Sequence, residues 1–198
     1  MLNNIEEFST QSYTALLQGF KDRGYDVVGY EEIRPLHPHI VLRHDIDMSI
    51  ESALRMADIE ANLEVSAHYF VLLRSDLYNP YTSHNIRSLR SILALGHRIG
   101  LHLDASIYSS DWSALEAAAD EECGILESII QEKINFVSFH RPHANLLGNA
   151  ENLAGRLHTY QPRFFKEIGY CSDSRGSWRY GHPYGHDAIK SKKALQLL

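Results

Sequence analysis

The stretch RHDID, residues 43–47, puts two carboxylates, Asp45 and Asp47, at alternate positions beside the imidazole of His44 and the guanidinium of Arg43. Carboxylates so placed repel each other unless a metal ion or a shared proton lies between them. The same residue types return further along the chain as His102 and Asp104, as His140 and Arg141, and as Asp173. Imidazole and carboxylate together suit a divalent first-row ion, and a carboxylate kept ionised by a fixed cation suits proton abstraction. These groups lie far apart in sequence. They make one site only if the elements of the fold deliver them to one place.

Those elements can be read from spacing. Residues 8–23 carry Tyr13, Leu16, Leu17 and Phe20 at helical intervals, and Gly24 follows where a helix end favours glycine. Residues 40–42 predict a short apolar strand, and Ser49 caps a helix with Ile50, Ala53, Leu54, Ala57 and Ala61 on one face. In VSAHYFVLL, residues 65–73, Val65, Ala67, Tyr69 and Val71 alternate as in a strand. NPYTS then supplies turn and cap residues for a helix marked by Ile86, Leu89 and Leu93 and closed by Gly96. A third strand is expected over 98–103, a long helix over 115–130, and a fourth strand over 135–140. The last third is less regular: 168–171 reads as a short strand, and Gly176, Gly181, Pro183 and Gly185 mark an irregular loop.

Strands alternating with helices predict a parallel α/β architecture, an open sheet or a barrel. Asp45 and Asp47 then follow the first strand, His102 and Asp104 end the third, His140 and Arg141 end the fourth, and Asp173 follows the fifth. All fall at C-terminal strand ends, the face where parallel α/β folds build sites from several strands at once.

The 198 residues suffice for one sizeable core, and a 44% hydrophobic and 22% charged composition is ordinary for a globular protein. A single domain over 1–198 is expected. The formal charge of -6, with Lys and Arg scattered, leaves no basic stripe for a phosphate backbone and argues against a nucleic-acid partner. MLNNIEEFSTQSY carries acid where a signal peptide is positive, and no apolar run approaches the ~20 residues that span a bilayer. The expectation is a cytoplasmic protein without membrane insertion. Cys123 and Cys171 fall in helical and apolar patterns and read as packing residues rather than a disulfide.

RHDID at 43–47, GHRIGLH at 96–102 and SFHRP at 138–142, in this order and extended by SDSRGSW at 172–178, resemble the NodB-type polysaccharide deacetylases, in particular a short, signal-less branch associated with surface polysaccharide biosynthesis. The resemblance implies a distorted, incomplete (β/α) barrel. It also implies an enzyme that removes acetyl groups from N-acetylated sugars or polysaccharide precursors with a divalent metal, Zn²⁺ by the residue types. Carried over position by position, it implies Asp45 as base, Asp47 and His102 as metal ligands, and Arg141 as the arginine that holds Asp45 ionised and aimed. The family's second histidine falls four residues after the first, where this chain has Ser106. His140, from the neighbouring strand end, is the expected replacement, with Asp104 the second candidate and His143 another. The family also ends in a Leu-x-His motif whose histidine protonates the leaving amine. This chain stops at LQLL, 195–198, where that motif would begin, so the expectation is a truncated chain, with His182 and His186 as alternatives by composition alone.

Plainer readings stand beside these. Asp104 also suits a cap on the element that follows it. His68 and His97 read as core histidines, and His37 and His39 as exposed ones. His44 either orients an aspartate or faces the outer helices. Asp104, Asp173 and Trp178 are candidate substrate contacts, and Trp178 with Tyr180 forms either a wall for a sugar ring or part of the core. Asp45-Ile46-Asp47-Met48-Ser49 also resembles the signature of haloacid-dehalogenase-type phosphatases, with Asp45 as nucleophile and Mg²⁺ as cofactor. The histidines at the other strand ends argue against it, because Mg²⁺ prefers oxygen ligands. A third reading, a deacetylase-like glycan-binding protein without catalysis, rests on Ser106. Retention of Asp45 and Arg141 counts against it.

Overall fold

The computed structural model describes residues 8–173 and 176–198. Helix α1 (Thr10–Asp22) starts at Ser9, whose hydroxyl accepts from the Ser12 amide while the Ser12 side chain accepts from the Ser9 amide, a reciprocal cap. Its chain then reverses at Gly24, where φ is +73°. Helix α2 (Ile50–Asn62) is capped by Ser49, α3 (Ser83–Ala94) by Thr82 and α4 (Trp112–Ile130) by Asp111, each side chain accepting from an amide one turn ahead. Two short helices follow, α5 (Pro162–Phe165) and α6 (Asp187–Lys190).

The strands are β1 (Asp26–Val27), β2 (His39–Ile46), β3 (His68–Val71), β4 (Arg98–Asp104), β5 (Phe136–His140), β6 (Leu157–His158), β7 (Gly169–Cys171) and β8 (Leu195–Leu197). All pair in parallel, in the order β6-β5-β4-β3-β2-β8-β7, with β1 against the start of β2. The sheet curls into an incomplete barrel with α1 to α4 on its outer face. Expectation and structure differ most in the last third. There β6 and β8 join the sheet as pieces too short to show a period, and β8 lies between β2 and β7. The first strand runs on past Leu42 through Arg43 and Asp45, because those polar side chains alternate into the curl rather than end the strand.

Two cores follow from that alternation. Outside, Ile40, Leu42, Tyr69, Leu101, Leu103, Val137 and Phe139 pack with the apolar faces of the four long helices. Inside, Tyr30, Val41, Phe70, Phe136 and Phe164 form a mostly aromatic plug toward the N-terminal ends of the strands. Gly100 of β4 makes room for that plug: a Cβ there would stand 2.4 Å from the Phe70 ring and 2.8 Å from the Phe136 carbonyl oxygen. Arg43 and Ser138 lie above it, both buried, and above them come the residues of the rim. Cys123 and Cys171 are buried free thiols. No helix among the described residues is long and apolar enough to cross a membrane.

Candidate metal and catalytic site

Register brings the polar strand ends together. His102 pairs with Ser138 and Asp104 with His140 across β4 and β5, while β2 delivers Asp45 and, one residue beyond its end, Asp47. Asp47 is half-exposed, His102 is buried and His140 lies between them in burial. Their donor atoms form a triangle: His102 Nε2 to His140 Nδ1 is 3.2 Å, His102 Nε2 to Asp47 Oδ1 is 3.3 Å, and His140 Nδ1 to Asp47 Oδ1 is 3.5 Å. Ligand bonds of about 2.0–2.1 Å at tetrahedral angles place neighbouring ligand atoms about 3.3 Å apart, so the triangle has the edge lengths of one face of a zinc-sized coordination sphere. Burial, and then the adjacent His102 ring, hold His140 below the ordinary imidazole value, so at neutral pH it offers a lone pair rather than a charge.

Asp45 faces the same centre, its Oδ2 3.6 Å from His102 Nε2, but its oxygens are engaged elsewhere. Arg43 Nε donates to Oδ1 at 3.0 Å and Nη2 to Oδ2 at 2.7 Å. Nη2 also reaches Ser138 Oγ at 2.5 Å and Tyr160 Oη at 3.2 Å, and the guanidinium carbon lies 4.9 Å from the centre of the Tyr160 ring. Burial alone would raise the Asp45 carboxyl. The charge of Arg43, with His102 and these hydrogen bonds, outweighs it and holds the group below the usual carboxylate range.

The expected partnership of Arg141 with Asp45 is therefore corrected. Arg141 is 69% exposed at the side chain, has φ +50°, and its nearest acid is Asp104 at 3.9 Å. The left-handed backbone after His140 turns it outward over the rim, and Arg43, already on the inner face two residues before Asp45, occupies the position against the carboxylate. Period-two spacing within RHDID, which puts Arg43 on the same face as Asp45, is the signal that could have found Arg43.

Asp104 accepts from both the amide and the hydroxyl of Ser106, at 3.0 and 2.6 Å, and so caps the 3-10 turn Ala105–Ile107. Ser106 thus serves that turn and Asp104 is committed to it. His143 Nε2 lies 3.1 Å from the Ala105 carbonyl oxygen, away from the triangle. Asp173 lines a cavity of about 420 Å³ shared with His44, Asp45 and Asp47. Trp178 is not brought to the carboxylates: it packs on Phe8, ring centres 5.3 Å apart, and lines a second cavity of about 560 Å³ beside α1. His182 and His186 accept from nearby amides in their own loop. Ser174 and Arg175 of the SDSRGSW stretch lie outside the described residues.

His44 faces the helices. Its Nε2 lies 2.6 Å from Oε1 of Glu60, a fully buried carboxylate of α2 that also accepts from Tyr13 and, at 2.6 Å, from Tyr69. Burial would raise Glu60, but His44 and the two phenols hold it ionised below its usual value. No spacing in the sequence announced this cluster. His97 is buried and bonded at both ring nitrogens, whereas His68 is buried with no partner at either among the described residues.

The sequence matches no family model and no curated protein. Among solved structures it is similar to a family 4 carbohydrate esterase from Bacillus anthracis, with TM-score 0.53 and 15% identity over 96% of this chain and 78% of that one. It is also similar to the deacetylase PplD of Streptococcus pyogenes, solved in complex with acetate, with TM-score 0.54 and 12% identity over 94% and 79% of the two chains. A CE4 family pseudoenzyme from Bacillus anthracis aligns at TM-score 0.48 and 12% identity, over 83% of this chain and 56% of that one; this chain spans about half of that protein's length. The fold is that of the CE4 polysaccharide deacetylases, the class to which the NodB-type enzymes belong. At these identities the likeness is one of fold.

Proposed function

We propose that the chain is a metal-dependent carbohydrate deacetylase, with Asp47, His102 and His140 as the ligands of a divalent ion, Zn²⁺ by the donor set, and Asp45 as general base. The observation that carries the proposal is the triangle of donors with edges of 3.2 to 3.5 Å directly beside an ionised, arginine-held carboxylate. A divalent ion held by these two imidazoles and one carboxylate would keep net positive charge and would supply Lewis acidity and an acidified water. Asp45, deprotonated and aimed by Arg43, accepts the proton released as the acetyl carbonyl is attacked. The two histidines are set on strands whose backbone positions are fixed by the sheet, and Asp47 stands one residue past the end of a third, so the donors are largely pre-organised for one geometry. Asp173, which lines the cavity that also holds Asp45 and Asp47, is the proposed sugar contact at the rim. Mg²⁺-dependent phosphoryl chemistry at Asp45 is disfavoured, since both oxygens of that carboxylate are bonded to Arg43.

The experiment is metal analysis with acetate release from a panel of N-acetylated amino sugars, free and carrier-linked. The expected result is one Zn²⁺ per chain and acetate release that stops on chelation and returns with metal. A protein that binds Zn²⁺ stoichiometrically at these residues yet releases no acetate from any acceptor would leave a glycan-binding role instead.

A further inference from the structure

We propose that the rim carrying the candidate site docks on a lipid surface and that the acetylated sugar is presented there on a lipid carrier; the second clause rests on the deacetylase reading, the first does not. The large apolar residues that the fold leaves exposed are unevenly distributed. Met48 stands in the loop after β2 (71% exposed), Leu77 and Tyr81 in the loop after β3 (66% and 55%), Ile107 after β4 (53%), Leu147 after β5 (37%) and Tyr180 after β7 (87%). Because the strands are parallel, all these loops open on the face that holds Asp47, His102 and His140. Of the other two, Phe8 precedes α1 and packs on Trp178, and Leu36 stands on the opposite face in the loop entering β2. Single exposed apolar residues are ordinary, but a set gathered on successive loops around one centre marks a contact surface.

The chemistry of the collar selects what it contacts. Met48, Leu77, Ile107 and Leu147 are aliphatic and offer a sugar neither hydrogen bonds nor an aromatic face to stack on. Gripping the glycan does not account for them. They sit in four separate loops around one centre, and an extended apolar layer such as the outer edge of a bilayer is the kind of surface that would meet side chains spread over several loops. Charge agrees with a zwitterionic surface: Arg74 and Arg141, 51% and 69% exposed, stand among the exposed acids Asp76 and Asp111 in the same set of loops. Both signs are present without a cationic excess, and the whole chain is at -6. Attachment is therefore apolar in origin and does not require anionic lipid. Loops that reach the interface do so with no spanning helix.

The test is co-sedimentation of the protein with phosphatidylcholine vesicles, using wild type, the triple variant Leu77→Ser/Tyr81→Ser/Ile107→Ser, and Leu36→Ser on the far face. Wild type should partition to vesicles equally well at low and high salt, the triple variant should lose about tenfold or more of that partition while melting normally, and Leu36→Ser should behave as wild type. Absence of wild-type binding, binding only to anionic vesicles at low salt, or an equal loss in Leu36→Ser would each overturn docking through the rim. So would wild-type self-association that the triple variant abolishes, which would assign the collar to a second copy of the chain. The readout needs no turnover. A vesicle-binding protein that releases no acetate would retain the docking surface and lose the deacetylase reading, and the reverse result would do the opposite.

Discussion

Arg43 and Asp45 lie two residues apart on one strand and close a two-point hydrogen bond inside the barrel, at 3.0 and 2.7 Å, with the guanidinium fully buried and the carboxylate at the mouth. A buried pair of this kind adds little net stability compared with an apolar substitute, but it fixes orientation, and removing one partner costs about 3–5 kcal/mol because the other is left buried and unpaired.

Arg43→Lys keeps the charge and loses the fork, so Asp45 should turn away from its present aim while staying ionised, and kcat should fall by roughly 10- to 100-fold at neutral pH. Arg43→Met removes the charge as well. Burial then dominates, the Asp45 carboxyl rises from its lowered value, and the acid limb of the pH–rate profile should move to higher pH. Arg141→Met should leave that limb where it is. A profile that moves in the Arg141 variant and not in the Arg43 variant would reverse the assignment.

Base and ligand separate by metal content. Asp45→Asn should retain one ion per chain while turnover drops by about 10² to 10⁴. His140→Ala and His102→Ala should each lose stoichiometric metal, read by elemental analysis of protein purified without chelator. Full occupancy in His140→Ala would hand the third position to another group, Asp104 being nearest in kind.

Gly100→Ala places a methyl against the Phe70 ring and the Phe136 carbonyl. The ring can shift by a fraction of the required distance and the backbone oxygen by less. The variant should be destabilised by about 1–3 kcal/mol, and its melting temperature should fall by roughly 2–4 °C for each of those kilocalories. A melting temperature equal to wild type would mean that the plug is loose.

His68 sits against Tyr30, Phe70 and Phe136, and burial, then the nearby charge of Arg98, lowers it from 6.5 to about 3. The unfolded chain therefore takes up a proton at this residue before the folded chain does. Its contribution is intact above pH 6.5 and is lost as pH falls toward 3, by about 2–3 kcal/mol between 6.5 and 4.5 at about 1.4 kcal/mol per pH unit. His158, lowered by burial to about 4, adds a loss of the same sign. Urea unfolding from pH 7.5 to 4.5 should show a steep decline in the wild type and a shallower one in His68→Leu. Parallel curves would mean that His68 finds a partner in solution.

The sequence declared those parts of the molecule whose period is long enough to count. Four capped helices and the strands between them were legible because each repeats its pattern over several residues. The rim was legible because chemistry-bearing residues recurred at strand ends, and the structure brings Asp47, His102 and His140 to one place there. Three-residue β8 and two-residue β6 carry no period, so their places in the sheet were not readable. Arg141 was assigned to Asp45 from motif position, whereas which arginine meets a carboxylate depends on side-chain direction: Arg43 shares the face of Asp45 and Arg141 follows a left-handed residue geometry that points it away. Glu60 was invisible because it joins α2 to β2, β3 and α1 through contacts that no local spacing encodes.

The three corners of the donor triangle are supplied by β2, β4 and β5, with β3 lying between the first two. Two histidines on one turn could grip an ion as soon as that turn forms, but here no pair of donors shares an element. His102 and His140 meet once β4 and β5 pair, but Asp47 reaches them only when four neighbouring strands are aligned. An ion that enters late would then act as a clasp across them, slowing the separation of β2 from β4 far more than it speeds their assembly, so that loss of the ion would be felt first as a shortened lifetime of the folded chain.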